Sequence, residues 1–262
     1  MSPQPLGVHN RRLTDARRLL KSRDRRAQGR FLLEGPTVLA EALQSHIEIE
    51  SVFVTAEAYE RFSFVRKLDQ QTDPPIYLTD DRVLKSLSDV ATPAGIVAIG
   101  KMRLFDAAAL FEEEGRILVL ADLNDAGNAG TLVRAADAFG VSRVIFGSAG
   151  VEPYHPKVVR AAMGSLFRTR LAIAEPATFI EIARPRSWTT FGLAREGEPI
   201  GEVALPPRTA LVVGHERQGL GRWQAACERL LAIPTPGPAE SLNAAVAGAV
   251  ALYEASRPVK RV

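Results

Sequence analysis

The sequence predicts an α/β protein: a larger C-terminal domain on a parallel sheet, residues 106–262, preceded by a smaller α/β unit, residues 1–105. Three observations predict it. Apolar runs alternate with helical stretches through residues 116–234. Those runs are continuously apolar, as strands covered on both faces are. A chain of 262 residues, 46% hydrophobic and 24% charged, holds enough material for two cored domains.

In the first unit, residues 13–21 and "FLLEGPTVLAEALQS" (31–45) carry helical spacing. Short β-type runs follow at "ESVFVTA" (50–56), "IYLT" (76–79) and "GIVAIGK" (95–101), and "MRLFDAAALFEEEGR" (102–116) bridges to the second unit. There the strands are "RILVLAD" (116–122), "RVIFG" (143–147), "TTFGLA" (189–194), "ALVVG" (210–214) and "LLAIP" (230–234).

Net charge is only +3, but nine basic residues between Arg11 and Arg30 face only Asp15 and Asp24. Such a segment suits a polyanion, either nucleic acid or an anionic membrane surface, or forms a solvated basic helix. Arg23, Arg25 and Arg26 are its candidate nucleic-acid contacts. The lone Cys227 excludes an intramolecular disulfide and a CxxC zinc site, and the four histidines show no HExxH spacing, so no metal is expected. No stretch approaches the ~18 apolar residues of a membrane span, and the expected location is the cytoplasm.

In parallel sheets ligands collect beyond the carboxyl ends of strands. Three loops therefore matter. After the first strand, "GNAGTLVRAADAFG" opens a helix with Leu132, Val133, Ala136 and Phe139 inward, leaving Gly130 and Arg134 turned away, a cation beside bare backbone. The plain structural alternative is an Asn128 cap with an Arg134–Asp137 surface pair. After the fourth, "VVGHERQGLG" places Gly214 and Glu216 directly past a buried strand. After the fifth, "IPTPGPAESLNAAVAGAVALYEASR" gives an irregular loop, an expected N-cap at Ser241, and a helix with Leu242, Val246, Ala249, Val250 and Tyr253 on one side. The small residues on its other side suit close packing by a helix or a second subunit. Neither GxGxxG nor GxxxxGK[ST] occurs.

Together these loops resemble the SpoU/TrmH family of RNA ribose 2′-O-methyltransferases, in the SPOUT class: "NAGTLVRAADAFG", "VVGHERQGL" and "IPTPGPAESLNAAVAGAVALYE" match its three motifs in order. "YHPKVVRAAMGSLFR" (154–168), "RRAQGRFLLEGPTVLAEAL" and "TPAGIVAIGK" extend the likeness over nearly the whole chain. His155 and the "NAGTL" form depart from the commoner family pattern.

The resemblance implies a catalytic domain with a deep trefoil knot over roughly residues 210–250, and a small RNA-recognition domain before it. It implies S-adenosylmethionine against Gly214, Ile233 and Leu242, with Leu193, Ala194, Glu216 and Ser241 nearby. Arg134 would meet the target 2′-hydroxyl, held in register by Asn128, Glu216, Ser241 and Asn243, and Arg160 would offer a second RNA contact. The implied partners are RNA, ribosomal RNA ahead of tRNA, and a second copy of the chain. A non-catalytic RNA-binding or ribosome-assembly protein is the competing expectation, and the presence of Asn128 and Arg134 weighs against it.

Overall fold

The computed structural model describes residues 3–7, 10–71, 73–215, 218–238 and 241–257. The chain divides into two compact units: Met1–Arg103 with Tyr154–Phe167, and Leu104–Pro153 with Arg168–Val262.

The first unit carries β1 (Gln4–Pro5), α1 (Arg11–Arg18), α2 (Ser22–Gln28), β2 (Arg30–Glu34), α3 (Pro36–Leu43), β3 (Ile49–Val54), α4 (Ala56–Arg61), α5 (Ser63–Asp69), β4 (Ile76–Leu78), α6 (Asp81–Lys85) and β5 (Ile96–Lys101). Its mixed sheet runs β1-β4-β3-β5-β2, with β5 antiparallel to both neighbours. Residues 31–45 are therefore not one helix. Phe31, Leu32 and Leu33 are consecutive and buried, a strand's pattern, and pair with β5. Gly35 at φ 98° then turns the chain and Pro36 starts α3.

The second unit carries β6 (Gly115–Leu120), α7 (Ala126–Ala138) and β7 (Arg143–Gly147). After α8 (Pro156–Ala161) and α9 (Ser165–Arg168) come β8 (Arg170–Ala174), α10 (Pro176–Ala183), β9 (Thr189–Pro199), β10 (Arg208–Val213), β11 (Arg229–Ala232) and α11 (Ala244–Ser256). The six strands run in the order β11-β9-β10-β6-β7-β8, all parallel. Phe111 packs edge-on to Phe179 and Trp188, and Phe179 to Trp223, covering one face.

The strand order has a switch point. From β6 the chain proceeds to β7 and β8 on one side, whereas β10, bonded to the other edge of β6, leads to β11 beyond β9. Connections leaving two adjacent parallel strands in opposite directions open a crevice at their carboxyl ends. The loops after β6 and β10, singled out in the sequence, flank it.

The last helix packs through its small-residue face, and the partner is another helix of the same unit. Its small residues Ala244, Ala245, Gly248 and Ala251 are buried within the unit, and a Cβ on Gly248 would overlap Leu132 Cδ2 of α7 and lie 3.1 Å from Val213 Cγ2 of β10. Small side chains let α11 approach that closely. Val246 at 50% and Tyr253 at 52% exposure face outward, with Tyr253 edge-on to Phe139, while Leu252 is buried with the small residues.

Candidate functional site

The loop after β6 is capped by Asp125, not Asn128: its carboxylate accepts the Asn128 N–H at 2.7 Å. Asn128 sits one turn in, which frees its side chain for another element. Its Oδ1 accepts from Asn243 Nδ2 at 3.1 Å, joining residues 115 apart in sequence. Asn243, not Ser241, caps α11, its Oδ1 accepting from Ala245 N–H at 2.9 Å and Val246 N–H at 3.3 Å. One amide thus starts a helix and ties it to α7.

Two turns into α7, Arg134 is exposed and makes no hydrogen bond or ion pair among the described residues. The expected Arg134–Asp137 pair does not form, because Asp137 accepts from Arg168 Nε at 3.0 Å and Nη2 at 2.8 Å. Gly130 is buried, so the expected bare patch beside Arg134 is closed. Among the described residues the guanidinium is unpaired.

Beside these loops lies a cavity of about 150 Å³. Leu193, Ala194, Gly214, Ile233, Ser241 and Leu242, all expected at the cofactor, line it together. Glu216 lies outside the described residues. Leu193 and Ala194 reach the cavity through a break in the ladder: Gly192 pairs with Leu230 and Glu198 with Leu231, so residues 193–197 bow out of the sheet. Gly197 permits this, since a Cβ there would fall 2.6 Å from the Leu231 amide nitrogen.

Gly214 is a tight cradle. A Cβ on it would overlap the carbonyl of Gly219 and lie 2.7 Å from Leu220 N, while the His215 and Gly219 N–H groups bond each other's carbonyls at 2.8 and 2.9 Å. This narrow hairpin holds main chain at the cavity wall. Apolar Leu193, Val213, Leu231, Ile233 and Leu242 supply surface for a planar ring, and Arg195, His215, Thr235 and Ser241 supply polar groups. That set fits S-adenosylmethionine, which pairs a purine with a charged, hydrogen-bonding tail.

In the first unit Arg23 and Arg26 are exposed. Arg25 is a correction: it is 1% exposed, and its Nη1 donates to the Leu19 carbonyl at 2.7 Å, so it serves the fold and not a nucleic-acid surface. Arg160 is engaged as well, pairing with Glu34 at 3.1 Å and with Asp89. Burial raises the Glu34 carboxyl above its ordinary value despite the hydrogen bond from Ser88 and the charge of Arg160.

One cluster at the same strand ends carries no sequence signal. Asp122, the second residue beyond β6, has φ 51°, and its carboxylate meets Arg222 and Trp223 from the segment after β10. It belongs to no short motif, and its partners lie about a hundred positions away.

A parallel sheet with a lined cavity at the carboxyl ends of β9, β10 and β11 defines a cofactor-binding α/β domain, here joined to a separate basic unit. Residues 115–253 match the SpoU rRNA Methylase family, and residues 10–98 match the MRM3-like substrate binding domain. The chain belongs to the SpoU rRNA Methylase family. It is 28% identical over 248 residues to the 23S rRNA (guanosine(2553)-2′-O)-methyltransferase RlmP of Bacillus subtilis, covering 93% of this chain and 95% of that protein. The AviRb SpoU methyltransferase of Streptomyces viridochromogenes, solved in complex with the cofactor AdoMet, superposes with a TM-score of 0.85 at 26% identity over 95% of this chain and 97% of that one. The AdoMet-bound rRNA methyltransferase of Sinorhizobium meliloti gives a TM-score of 0.85 at 25% identity, covering 96% and 97%.

Proposed function

We propose that this protein transfers the methyl group of S-adenosylmethionine to a ribose 2′-hydroxyl of structured RNA, ribosomal RNA ahead of tRNA. The observation that carries the reading is the convergence of three separated loops: six expected cofactor residues share one cavity, and Asn243, between two cavity-lining residues, holds the helix that bears Arg134. The rRNA methyltransferase relatives and the MRM3-like domain support the choice of RNA.

When bound, S-adenosylmethionine supplies an electrophilic methyl on a positively charged sulfur. The chain's own task is then alignment, which contributes about 7–11 kcal/mol in favourable intramolecular cases. The apolar walls and the Gly214 main chain hold the cofactor, with Ser241 completing the site. Asn128 and Asn243 fix α7. Arg134 orients the hydroxyl and neutralises the adjacent phosphate; a guanidinium, with pKa above about 12, accepts no proton at neutral pH.

In this reading Arg23 and Arg26 hold RNA through its phosphates, sequence-independently, and Arg160 joins them if RNA displaces Asp89. The chain works in the cytoplasm as a homodimer. Its outward Val246, Val250 and Tyr253 form the contact, and the 210–250 segment forms the trefoil knot of the class. Among the described residues no helix is long and apolar enough to cross a membrane.

The test is transfer of labelled methyl from S-adenosylmethionine to rRNA from a strain deleted for this gene, with the product mapped by mass spectrometry. Wild type yields a 2′-O-methylated nucleotide; Arg134→Ala, folded and cofactor-binding, does not. Equal transfer by the variant refutes the role given to Arg134, and no transfer by wild type refutes the activity.

A further inference from the structure

The Asp122 cluster sits outside the cavity lining and outside the three motifs. Asp122 is the second residue beyond β6, in a left-handed conformation that L residues rarely adopt. Its carboxylate accepts four hydrogen bonds: Arg222 Nε at 2.7 Å, Arg222 Nη2 at 3.3 Å, Trp223 Nε1 at 3.0 Å and the Ala149 N–H at 3.1 Å. Arg222 extends the cluster, donating through Nη2 to Ser148 Oγ at 3.0 Å and through Nη1 to Glu175. Ser148 Oγ in turn donates to Glu175.

The cluster's members come from four strand ends. Asp122 follows β6, Ser148 and Ala149 follow β7, Glu175 follows β8, and Arg222 and Trp223 follow β10. Gly147 and Gly150 leave the room: a Cβ on Gly147 would lie 2.6 Å from Asp122 N, and one on Gly150 2.7 Å from the Leu123 carbonyl. Burial raises the Asp122 carboxyl, but the hydrogen bonds from Arg222, Ala149 and Trp223 outweigh it and hold the group below its ordinary value of 3.8. It is held charged.

Its position connects the two halves of the site. Asp122 opens the short loop 122–125 that ends at the cap of α7, which carries Asn128 and Arg134. Arg222 closes the segment that begins at the cavity wall with Gly214 and passes through Gly219. A shift of the cavity segment therefore pulls on the loop that aims α7.

We propose that Asp122, Arg222 and Trp223 form a positioning latch that transmits occupancy of the cavity to the N-terminal end of α7, setting Asn128 and Arg134 for the reaction. The latch rests on the methyltransferase reading of the same cavity. None of its residues touches the reacting atoms.

The test is amide hydrogen exchange on the full-length chain, with and without saturating S-adenosylmethionine, together with cofactor affinity by calorimetry and methyl transfer to rRNA from the deleted strain. The main variant is Asp122→Gly, which removes the carboxylate at a φ that glycine adopts without strain. Arg222→Gln and Asp122→Asn are the milder variants if Asp122→Gly fails to fold.

In wild type, cofactor slows exchange both at residues 211–222 and at residues 122–130. In Asp122→Gly the first region still responds and the second does not. Cofactor Kd stays within about threefold of wild type, and kcat falls about 10- to 100-fold, as for misplaced catalytic groups. Asp122→Asn, which keeps one acceptor oxygen at the same φ, recovers part of the second response.

Protection of residues 122–130 that survives in a folded Asp122→Gly or Arg222→Gln overturns the latch. So does a fall in kcat matched by an equal loss of cofactor affinity. Wild-type protein showing no cofactor-induced protection at residues 211–222 refutes the cofactor reading and the latch with it.

Discussion

Adding one methyl group at Gly214 tests the cavity with little else disturbed. Its φ is not in the left-handed region, so alanine meets no backbone strain there. The obstacle is steric. The new Cβ overlaps the Gly219 carbonyl and approaches Leu220 N to 2.7 Å, and these are main-chain atoms that cannot rotate away. Overpacking of this kind costs about 1–3 kcal/mol. Gly219 itself lines the cavity, so the cost falls on the cavity wall. At 1.4 kcal/mol per tenfold, the affinity for S-adenosylmethionine weakens about 5- to 150-fold. Calorimetric titration measures it, with Gly201→Ala as control, since a Cβ at Gly201 meets nothing within 4 Å. A folded Gly214→Ala protein that binds S-adenosylmethionine as wild type does would refute the assignment of this cavity.

Three further outcomes are expected. Asn243→Ala removes a helix cap worth about 1 kcal/mol, so Tm falls by about 2–4 °C in a thermal melt, and methyl transfer falls with it because Asn128 loses its partner. Neutralising Arg23 and Arg26 weakens RNA binding and reduces the salt slope by about 0.7–0.9 for each phosphate no longer neutralised, in a titration at several ionic strengths. Arg25→Ala instead leaves the Leu19 carbonyl unpaired, costing about 1–3 kcal/mol, seen as lower stability with an unchanged salt slope. Finally, Asp122 lies below its ordinary value despite burial because of its donors, and Glu175 lies below its own through Ser148 and Arg222. Lowered folded-state values mean stability that is complete above about pH 4 and fades as pH falls through the depressed values. Tm-against-pH curves of wild type and Arg222→Ala should therefore separate at neutral pH and converge in acid.

The parts of the fold legible in the sequence are those with one unambiguous period. β6, β7 and β10 are continuous apolar runs between charged or glycine-bearing turns, and the loop after β10 leads directly to cavity residues. β8 escapes a reading by pattern because Leu171–Ala174 is short and Ile173 is exposed at the sheet edge. β2 escapes it because Phe31–Leu33 runs into the helical spacing of Val38, Leu39 and Ala42, with Gly35-Pro36 as the easily overlooked break. Both helix caps differ from expectation by a few residues, since Asp125, Asn128, Ser241 and Asn243 all suit a cap and only tertiary pairing separates them. For α11 the small residues that suit close packing by a helix do meet one, with Gly248 against Leu132 of α7. Arg25 and Asp122 show what spacing cannot carry, namely a partner fixed by the fold.

The order of the strands also bears on how the protein is made. β6 pairs with β7 soon after both leave the ribosome, but its other edge awaits β10, whose first residue is Arg208. Until then Ile117–Leu120 presents an apolar strand with a bare row of amides and carbonyls, the template for pairing with a foreign chain. At 5–20 residues per second, synthesis of the intervening stretch takes roughly 5 to 20 s. The nascent chain thus passes through a vulnerable interval that the finished fold conceals. Slowing translation before Arg208 would lengthen the interval, so soluble yield in the cell depends on the pace of synthesis and on chaperone cover there as well as on final stability.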